Sequence, residues 1–256
     1  MKYLKLFQNH SLYEAYLVGD KFPETVGGRT VSYCYQQNEV HYDTYVDSTN
    51  DHDYIEIGGI KWATMNIGAS SITDYGLYFQ WGDTQGYTIE QIGTDKLFNN
   101  KSYKYTDDNG ETMSKYNSID GKIILDLDDD AARANWGGNW RMPTHDELLE
   151  LREATNVSRT LNYKGSGIAG LICTDKTDSS KTLFFPASGD NSSTGEEIQN
   201  IGTYGFYWTS SCRRVKFGYY LSFSNLDKDD SSWSYGFSST GPRWGGYSVR
   251  AILDEK

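Results

Sequence analysis

Tyr204-Gly-Phe-Tyr-Trp-Thr-Ser-Ser211 and Gly246-Tyr-Ser-Val-Arg-Ala-Ile-Leu253 are two strand-like segments that bracket the most aromatic part of this chain. The fifty residues they enclose, themselves included, contain thirteen aromatic residues, ten serines and six glycines. Rigid amphipathic rings among small polar residues are typical of recognition surfaces. The segment therefore predicts a binding face held between two strands, although the aromatic edge of an ordinary β-sheet would have a similar composition.

The charge of residues 204–253 also differs from that of the rest of the chain. This segment carries six basic and three acidic side chains, whereas the whole chain has a net charge of −11. Because a buried set of strands would not tolerate Arg213-Arg214 and the polar run 227–232, the intervening loops are predicted to be exposed. The acidic balance of the whole chain argues against nucleic acid as the main partner.

Length and composition set broad limits on the class of protein. A chain of 256 residues with 15% aromatic residues can bury a full core, so one large or two unequal domains are expected. Cys34, Cys173 and Cys212 are far apart in the sequence, and their spacing predicts neither a disulfide framework nor a metal or redox motif. No apolar run is long enough for a signal peptide or a membrane helix, so a soluble protein without membrane insertion is expected.

The first fifty residues predict a small separate module of one helix and one hairpin. Ser11-Leu-Tyr-Glu14 has the spacing of a capping box, which predicts a short helix ending near Gly19. Val31–Tyr35 and Glu39–Tyr42 alternate in polarity and predict a hairpin. Such a piece is too small for a core of its own, so residues 1–50 are expected to serve attachment or oligomerisation.

Residues 51–256 are predicted to form the second domain, of the α+β class. Gly58-Gly59 lies between two alternating segments and predicts a tight hairpin over Tyr54–Ala63. Two helices are expected, a short one over Asp128–Asn135 and a better defined one from Thr144 to about Ala154, with Glu147 completing a capping box. Short strands are expected near three places: Leu171, Phe184-Phe185 and from Tyr204 onward.

Three patterns in the sequence resemble chemical motifs, and none is complete. Gly165-Ser-Gly-Ile-Ala-Gly170 matches G-x-G-x-x-G but has no helix pattern after it, so a loop is predicted. Asp126-Leu-Asp-Asp-Asp130 resembles the start of a calcium loop but lacks its glycine and distal glutamate, so a helix N-terminus is predicted. Cys212 lies beside two arginines but has no histidine near it in sequence. We therefore expect no catalytic site, no metal site and no cofactor.

Four motifs in the same order carry a resemblance to a known family. They are Tyr75-Gly-Leu-Tyr-Phe-Gln-Trp-Gly-Asp83, Trp136-Gly-Gly-Asn-Trp-Arg-Met-Pro-Thr-His-Asp-Glu147 and the two segments quoted first. Together they resemble the major paralogous domain of the C-type-lectin-like superfamily, which is related to the formylglycine-generating sulfatase-modifying fold. The resemblance covers about residues 54–253 and implies a C-type-lectin-like domain with two helices and many short antiparallel strands.

The same ending looks like the variable proteins of diversity-generating retroelements, in which a reverse transcriptase rewrites codons of a lectin-like ligand-binding face. That resemblance implies a variable region over about 204–253 and a hypervariable protein that recognises a protein or glycan on a host cell surface. The first fifty residues resemble pieces of phage structural proteins, which implies a phage virion, with a bacterial cell surface as the alternative location.

Two alternatives follow from the same family. Formylglycine-generating enzymes use two cysteines late in the domain, and this chain has only Cys212 there, so their activity is not carried over. The calcium- and sugar-binding tripeptides of true C-type lectins are also missing. The alternatives to a hypervariable binding protein are therefore a modifying enzyme of the formylglycine-generating type and a bacterial surface adhesin that does not vary.

The recognition hypothesis names specific residues. The expected ligand-binding residues are Cys212, Arg213, Arg214, Lys216, Phe217, Tyr219, Ser222, Ser224, Trp233, Tyr235, Phe237, Ser239, Trp244 and Gly245. Within this set Arg213, Lys216, Trp233, Tyr235 and Trp244 are predicted to be exposed. The core is predicted to contain Trp140, Trp208, Leu221, Phe223, Val249 and Ile252, because these alternate with the polar positions.

Overall fold

The structure of the protein is a computed structural model that describes residues 52–107, 112–191, 195–224 and 233–254, with the backbone of six strands within residues 1–51. The chain divides into two units, Met1–Asp51 and His52–Lys256. The division lies close to the predicted boundary between residues 1–50 and 51–256.

The first unit contains six strands. They are β1 (Tyr3–Gln8), β2 (Ser11–Leu17), β3 (Thr25–Val26), β4 (Arg29–Thr30), β5 (Ser32–Gln36) and β6 (Glu39–Asp43). Four of them form a sheet in the order β2-β1-β6-β5, in which β1 and β6 are parallel and the other neighbours antiparallel. The predicted hairpin over Val31–Tyr42 is confirmed as β5 and β6.

The helix predicted from Ser11 is wrong, because this segment forms strand β2. It pairs with β1 along its length, from Gln8 opposite Ser11 to Tyr3 opposite Leu17. A capping box stabilises a helix end by only about 1 kcal/mol, whereas the pairing with β1 supplies a hydrogen-bonded partner for the whole segment. Tyr13 and Tyr16 also favour strands over helices.

The described residues of the second unit form ten strands and two α-helices. The strands are β7 (Tyr54–Ile57), β8 (Ile60–Asn66), β9 (Trp140–Arg141), β10 (Thr155–Thr160), β11 (Gly170–Asp175), β12 (Thr182–Pro186), β13 (Gly205–Arg214), β14 (Phe217–Ser224), β15 (Ser234–Pro242) and β16 (Arg250–Leu253). The helices are α1 (Ala131–Trp136) and α2 (His145–Ala154). Two helices beside mainly antiparallel strands agree with the predicted α+β class.

Three sheets organise this unit. Their strand orders are β7-β8-β16-β9, β10-β11-β12 and β13-β14-β15. In the first sheet β16, near the end of the chain, pairs with β8, near the start of the unit, with Ile252 opposite Trp62. This pairing closes the unit and places the residues between β12 and β16 over its core.

Local signals in the sequence account for several of these elements. Gly58 and Gly59 have φ angles of 63° and 78°, so the predicted Gly-Gly hairpin is confirmed between β7 and β8. Thr144 accepts a hydrogen bond from the backbone N–H of Glu147, and the Glu147 carboxylate accepts one from the N–H of Thr144, which confirms the capping box of α2. Asp130 caps α1 by accepting from the backbone of Ala132 and Arg133, so this helix starts three residues later than Asp128.

The six residues predicted to form the core are all at most 2% exposed. The core extends further than the sequence indicates, because residues 83–126, which have no periodic pattern, contribute buried side chains to it. Tyr103, Tyr105, Met113, Tyr116 and Leu125 pack in the same cluster as Trp81 and Trp208.

Candidate ligand-binding site

The predicted variable region forms the sheet β13-β14-β15 and the segment that leads to β16. Strand β13 pairs with β14 in an antiparallel register that sets Gly205 opposite Phe223 and Trp208 opposite Tyr220. The β13–β14 ladder contains register shifts, the first of them between Trp208 and Cys212. The β14–β15 ladder contains a further one. A shift of this kind changes which side chains point to which face of a sheet.

Large side chains fix the inner side of this sheet. The indole N–H of Trp208 donates to the backbone oxygen of Phe79 at 2.9 Å, and the hydroxyl of Tyr207 donates to that of Pro186 at 2.6 Å. Leu221 and Phe223 lie in the core cluster that also contains Leu148 and Leu151 of α2. The sheet is therefore a rigid base for the residues on its exposed parts.

Arg243 is part of this base, although the sequence analysis counts its charge with the exposed segment. Its side chain is 0% exposed and lies among the rings of four aromatic residues, the nearest being Trp81, whose centroid is 4.8 Å from the guanidinium carbon. The guanidinium donates to the backbone oxygens of Tyr116 at 2.9 Å, Val215 at 2.8 Å and Lys115 at 3.0 Å. Arg243 thereby ties the irregular segment 83–126 to the turn that joins β13 and β14.

Arg250 is the second buried arginine of the segment and also serves the scaffold. It donates twice to Oδ1 of Asn66, at 3.1 and 2.7 Å, and once each to the backbone oxygens of Ala63 and Phe184. Burial lowers the pKa of Arg250 to about 10, so the guanidinium stays charged at neutral pH. With Arg243 and Arg250 buried, the other basic side chains that the structure describes in this region, Arg213, Arg214 and Lys216, lie at the turn between β13 and β14.

That turn, residues 213–217, is the most exposed part of the predicted face. Arg213, Arg214 and Phe217 are exposed and Lys216 is half-buried. Val215 and Phe217 are 37% and 39% exposed, which is high for apolar side chains. We call residues 213–217 the basic turn. In the described part of the chain the three cationic side chains have no ion-pair partner, so they are available to an acidic ligand.

The other expected ligand-binding residues differ in their exposure. Tyr235 is 44% exposed. Half-buried positions are Tyr219, Ser222, Ser224, Trp233, Ser239 and Trp244. Of the five residues predicted to be exposed, Arg213 and Tyr235 are exposed, whereas Lys216, Trp233 and Trp244 are half-buried. Trp233 packs on the cluster that contains Phe223, and Trp244 packs on the one that contains Trp208.

Three of the expected residues are buried and do not present a side chain to a ligand. Cys212 and Phe237 are 6% and 3% exposed. Cys212 lies in the core cluster that contains Trp208, and Phe237 lies in the one that contains Leu221 and Phe223. Gly245 is also buried, and an added Cβ would lie 3.2 Å from the ring of Tyr247.

Pairs of serines form a separate, neutral part of the surface. Ser222 and Ser239 are joined by a 2.7 Å hydrogen bond between their hydroxyls, and Ser224 and Ser234 by one of 2.8 Å. A Cβ at Gly236 would approach the Ser239 hydroxyl at 2.8 Å, which places this glycine beside the first pair. These hydroxyls offer both donors and acceptors to a ligand.

The start of α2 also contributes to the surface, which the sequence analysis did not foresee. The imidazole of His145 stacks on the ring of Tyr219 with centroids 3.9 Å apart, and its Nε2 lies 2.9 Å from the hydroxyl of Ser238. The backbone N–H of His145 donates to the Ser211 hydroxyl at 3.0 Å. Burial lowers the pKa of His145, with the nearby Asp146 carboxylate acting in the opposite direction. No sequence pattern links position 145 to 219, since only the packing of α2 on the sheet joins them.

The groups that resemble catalytic or metal-binding residues have structural roles. Burial raises the pKa of the Cys212 thiol, so the thiol is protonated at neutral pH. The Asp129 carboxylate accepts hydrogen bonds from Tyr116 and from the ammonium groups of Lys104 and Lys115. Asp130 accepts from the backbone N–H of Met142 as well as capping α1. Of the predicted loop 165–170, residues 166–169 lie in the connection between β10 and β11, whereas Gly165 ends a 3-10 turn and Gly170 begins β11.

Comparisons with known proteins do not extend this description. No family model, no curated protein and no solved structure matches the chain. In the part of the chain that the structure describes, three or more histidine, cysteine or carboxylate side chains nowhere cluster as they would around a metal ion. The described residues also contain no helix of the length and apolarity needed to cross a membrane.

Proposed function

We propose that residues 52–256 form a ligand-binding module whose recognition surface is the basic turn together with the neighbouring exposed positions of β14 and β15. The observation that carries this proposal is the contrast across one sheet. Cationic and apolar side chains on one part are exposed, and the cationic ones have no ion-pair partner among the described residues, whereas buried tryptophans and arginines hold the rest. A rigid base limits the entropy that is lost when the surface binds, which favours affinity.

The chemistry of the surface favours an acidic partner. Arg213, Arg214 and Lys216 supply positive charge on a chain of net charge −11, and arginine and aromatic residues commonly contribute about 2 kcal/mol or more each when they anchor an interface. Phe217 and Tyr235 provide aromatic area beside this charge. The partner we propose is a protein or glycan on a host cell surface that carries carboxylate or sulfate groups.

The resemblance to retroelement variable proteins supports a more specific version of this proposal. In it the exposed positions between Ser211 and Gly246 vary between copies of the gene, and the protein is a receptor-binding component of a phage particle to which residues 1–50 attach it. A non-variable bacterial adhesin would use the same surface. A template repeat and a reverse transcriptase gene beside this gene distinguish the two, because only the variable protein requires them.

An enzyme of the formylglycine-generating type has no supporting feature in the described residues. Its chemistry needs a reactive thiolate, and Cys212 is buried with a raised pKa. Turnover of a cysteine-containing peptide by the purified chain would contradict the binding proposal.

The test measures binding of the labelled protein to a panel of bacterial cells by flow cytometry. Arg213→Ala/Arg214→Ala should reduce binding to the recognised strain by tenfold or more. Lys101→Ala/Arg152→Ala removes the same charge from exposed positions elsewhere and should leave binding unchanged. Equal loss in the two double variants would show that only net charge matters and would overturn the assigned surface.

A further inference from the structure

An unusually apolar surface lies outside the proposed ligand-binding site, in residues 119–127. Four branched aliphatic side chains in this segment are exposed, Ile119 at 93%, Ile123 at 64%, Ile124 at 46% and Leu127 at 51%. Single exposed apolar residues are normal on a protein surface, but several in one short segment mark interaction sites.

The turn that carries Ile119 is held by side-chain hydrogen bonds. The carboxylate of Asp120 accepts from the backbone N–H groups of Tyr116 at 2.6 Å, Asn117 at 3.0 Å and Lys122 at 3.0 Å. The side-chain oxygen of Asn117 accepts from the N–H of Ile119 at 2.7 Å. The exposure of Ile119 is therefore a fixed feature of this turn.

Residues 123–125 lie beside β13 and form one isolated antiparallel bridge with it. The N–H of Leu125 donates to the oxygen of Ser210 at 2.9 Å, and the N–H of Cys212 donates to the oxygen of Ile123 at 2.8 Å. Ile124 lies directly opposite Ser211 in this antiparallel bridge. In such a non-hydrogen-bonded pair the N–H and C=O of Ile124 point away from β13. Neither group has a protein partner within the described residues, so Ile124 presents an open edge of the sheet.

We propose that this edge pairs with the same edge of a second copy of the chain, about a two-fold axis through Ile124. Two residues directly opposite each other in an antiparallel pair can exchange both of their N–H···O bonds, and Ile124 has both groups free. A two-fold axis makes the contact self-complementary and closes it at two subunits.

The sequence around Ile124 fits this arrangement in charge as well as in polarity. An antiparallel pairing centred on Ile124 sets each residue opposite the one equally far on the other side of position 124. Lys122 then lies opposite Asp126 of the second copy, on both sides of the axis. Both side chains are partly exposed, at 46% and 37%, and in the single chain they pair with each other at 2.7 Å. Opposite charges across a strand pair stabilise it, and like charges destabilise it.

The pairing would connect the two copies of β13-β14-β15 through the bridge residues Ile124 of both chains. Two ligand-binding surfaces would then be held in one particle, which raises the avidity for a repetitive cell surface. The pairing rests on the edge at Ile124 and does not depend on the proposed ligand-binding function.

The first test traps the contact with a disulfide. Opposite residues of a hydrogen-bonded antiparallel pair have Cα atoms about 5.5 Å apart, within the range that disulfides span. The full chain with Ile124→Cys should give a cross-linked dimer under mild oxidation, whereas Leu97→Cys, at a site 42% exposed elsewhere, should not. Both variants also carry Cys34→Ser, so that Cys34 cannot form the cross-link. Cys173 and Cys212 are left unchanged because they are buried. Equal cross-linking of the two variants would overturn the proposal.

The second test reverses charges and mixes the variants. Lys122→Asp and Asp126→Lys each place like charges opposite each other in a homodimer, so sedimentation should show dimer dissociation constants raised about tenfold. A mixture of the two variants restores both opposite-charge pairs between copies, and not those within a chain, so its heterodimer should regain the wild-type affinity. A wild-type chain that stays monomeric to about 100 µM, or a mixture no tighter than its components, would refute the pairing.

Discussion

Replacing Arg243 by methionine should destabilise the protein strongly, although the residue lies within the segment that the sequence marks as a surface. Methionine fills much of the same volume but cannot donate a hydrogen bond. The buried backbone oxygen of Tyr116, the partly buried ones of Lys115 and Val215, and the buried hydroxyl of Tyr103 at 3.0 Å would lose their donor. Each buried acceptor left without a partner costs about 1–3 kcal/mol, so we expect a loss of about 3–5 kcal/mol in the free energy of unfolding, allowing for partial relaxation.

Urea denaturation followed by tryptophan fluorescence measures this loss, since Trp81 lies against the guanidinium. Arg213→Met is the matched control, because Arg213 is exposed and surface substitutions usually change stability by no more than about 0.5 kcal/mol. If Arg243→Met costs no more than Arg213→Met, Arg243 does not connect segment 83–126 to the sheet as described here.

Three further changes test the scaffold around the site. Thr144→Ala should lower the free energy of unfolding by about 1 kcal/mol through loss of the α2 cap, with ligand binding intact in the folded fraction; lost binding at unchanged stability would instead place Thr144 in the site. Burial lowers the pKa of His145 and so favours the neutral imidazole in the folded protein. The stability that this preference contributes is complete above the unfolded-state pKa of about 6.5 and is lost as the pH falls below that value. His145→Gln should therefore flatten the stability change between pH 7 and pH 5.5, and an unchanged pH profile would exclude this role. Gly205→Ala should cost about 1–3 kcal/mol in thermal denaturation, since its Cβ would lie 2.1 Å from the ring of Phe223, and a neutral effect would contradict the described packing.

The features that the sequence predicted correctly are those that depend on neighbouring residues. The Gly58-Gly59 turn needs positive φ angles that glycine adopts without strain, and the α2 capping box joins residues three positions apart. The core tryptophans and leucines were also found, because large apolar side chains are rarely placed elsewhere on a strand that alternates with polar residues.

The errors arise where distant parts of the chain decide the outcome. The Ser11 capping box gives way to pairing with β1, which no local pattern shows. Arginine usually lies at the surface of a protein. Arg243 and Arg250 are buried because they donate to backbone oxygens from remote segments, which no local pattern shows. Cys212 and Phe237 are buried in the two core clusters that tertiary packing assembles beneath the sheet. The sequence therefore singled out a segment that forms one sheet, but which of its residues are exposed follows from tertiary structure.

The central claim is that residues 204–253 contain both an exposed binding surface and a buried scaffold. The most direct test changes the surface residues and measures folding and binding separately. A displayed library in which Arg213, Arg214, Lys216, Phe217 and Tyr235 are randomised together should be sorted first for folding and then for binding to the bacterial strain that the wild-type protein recognises. The account predicts that most members fold, with melting temperatures within a few degrees of the wild type, about as expected for surface changes, and that nearly all lose wild-type binding. Folded members that keep the original binding at wild-type strength, whatever residues they carry at these positions, would contradict it.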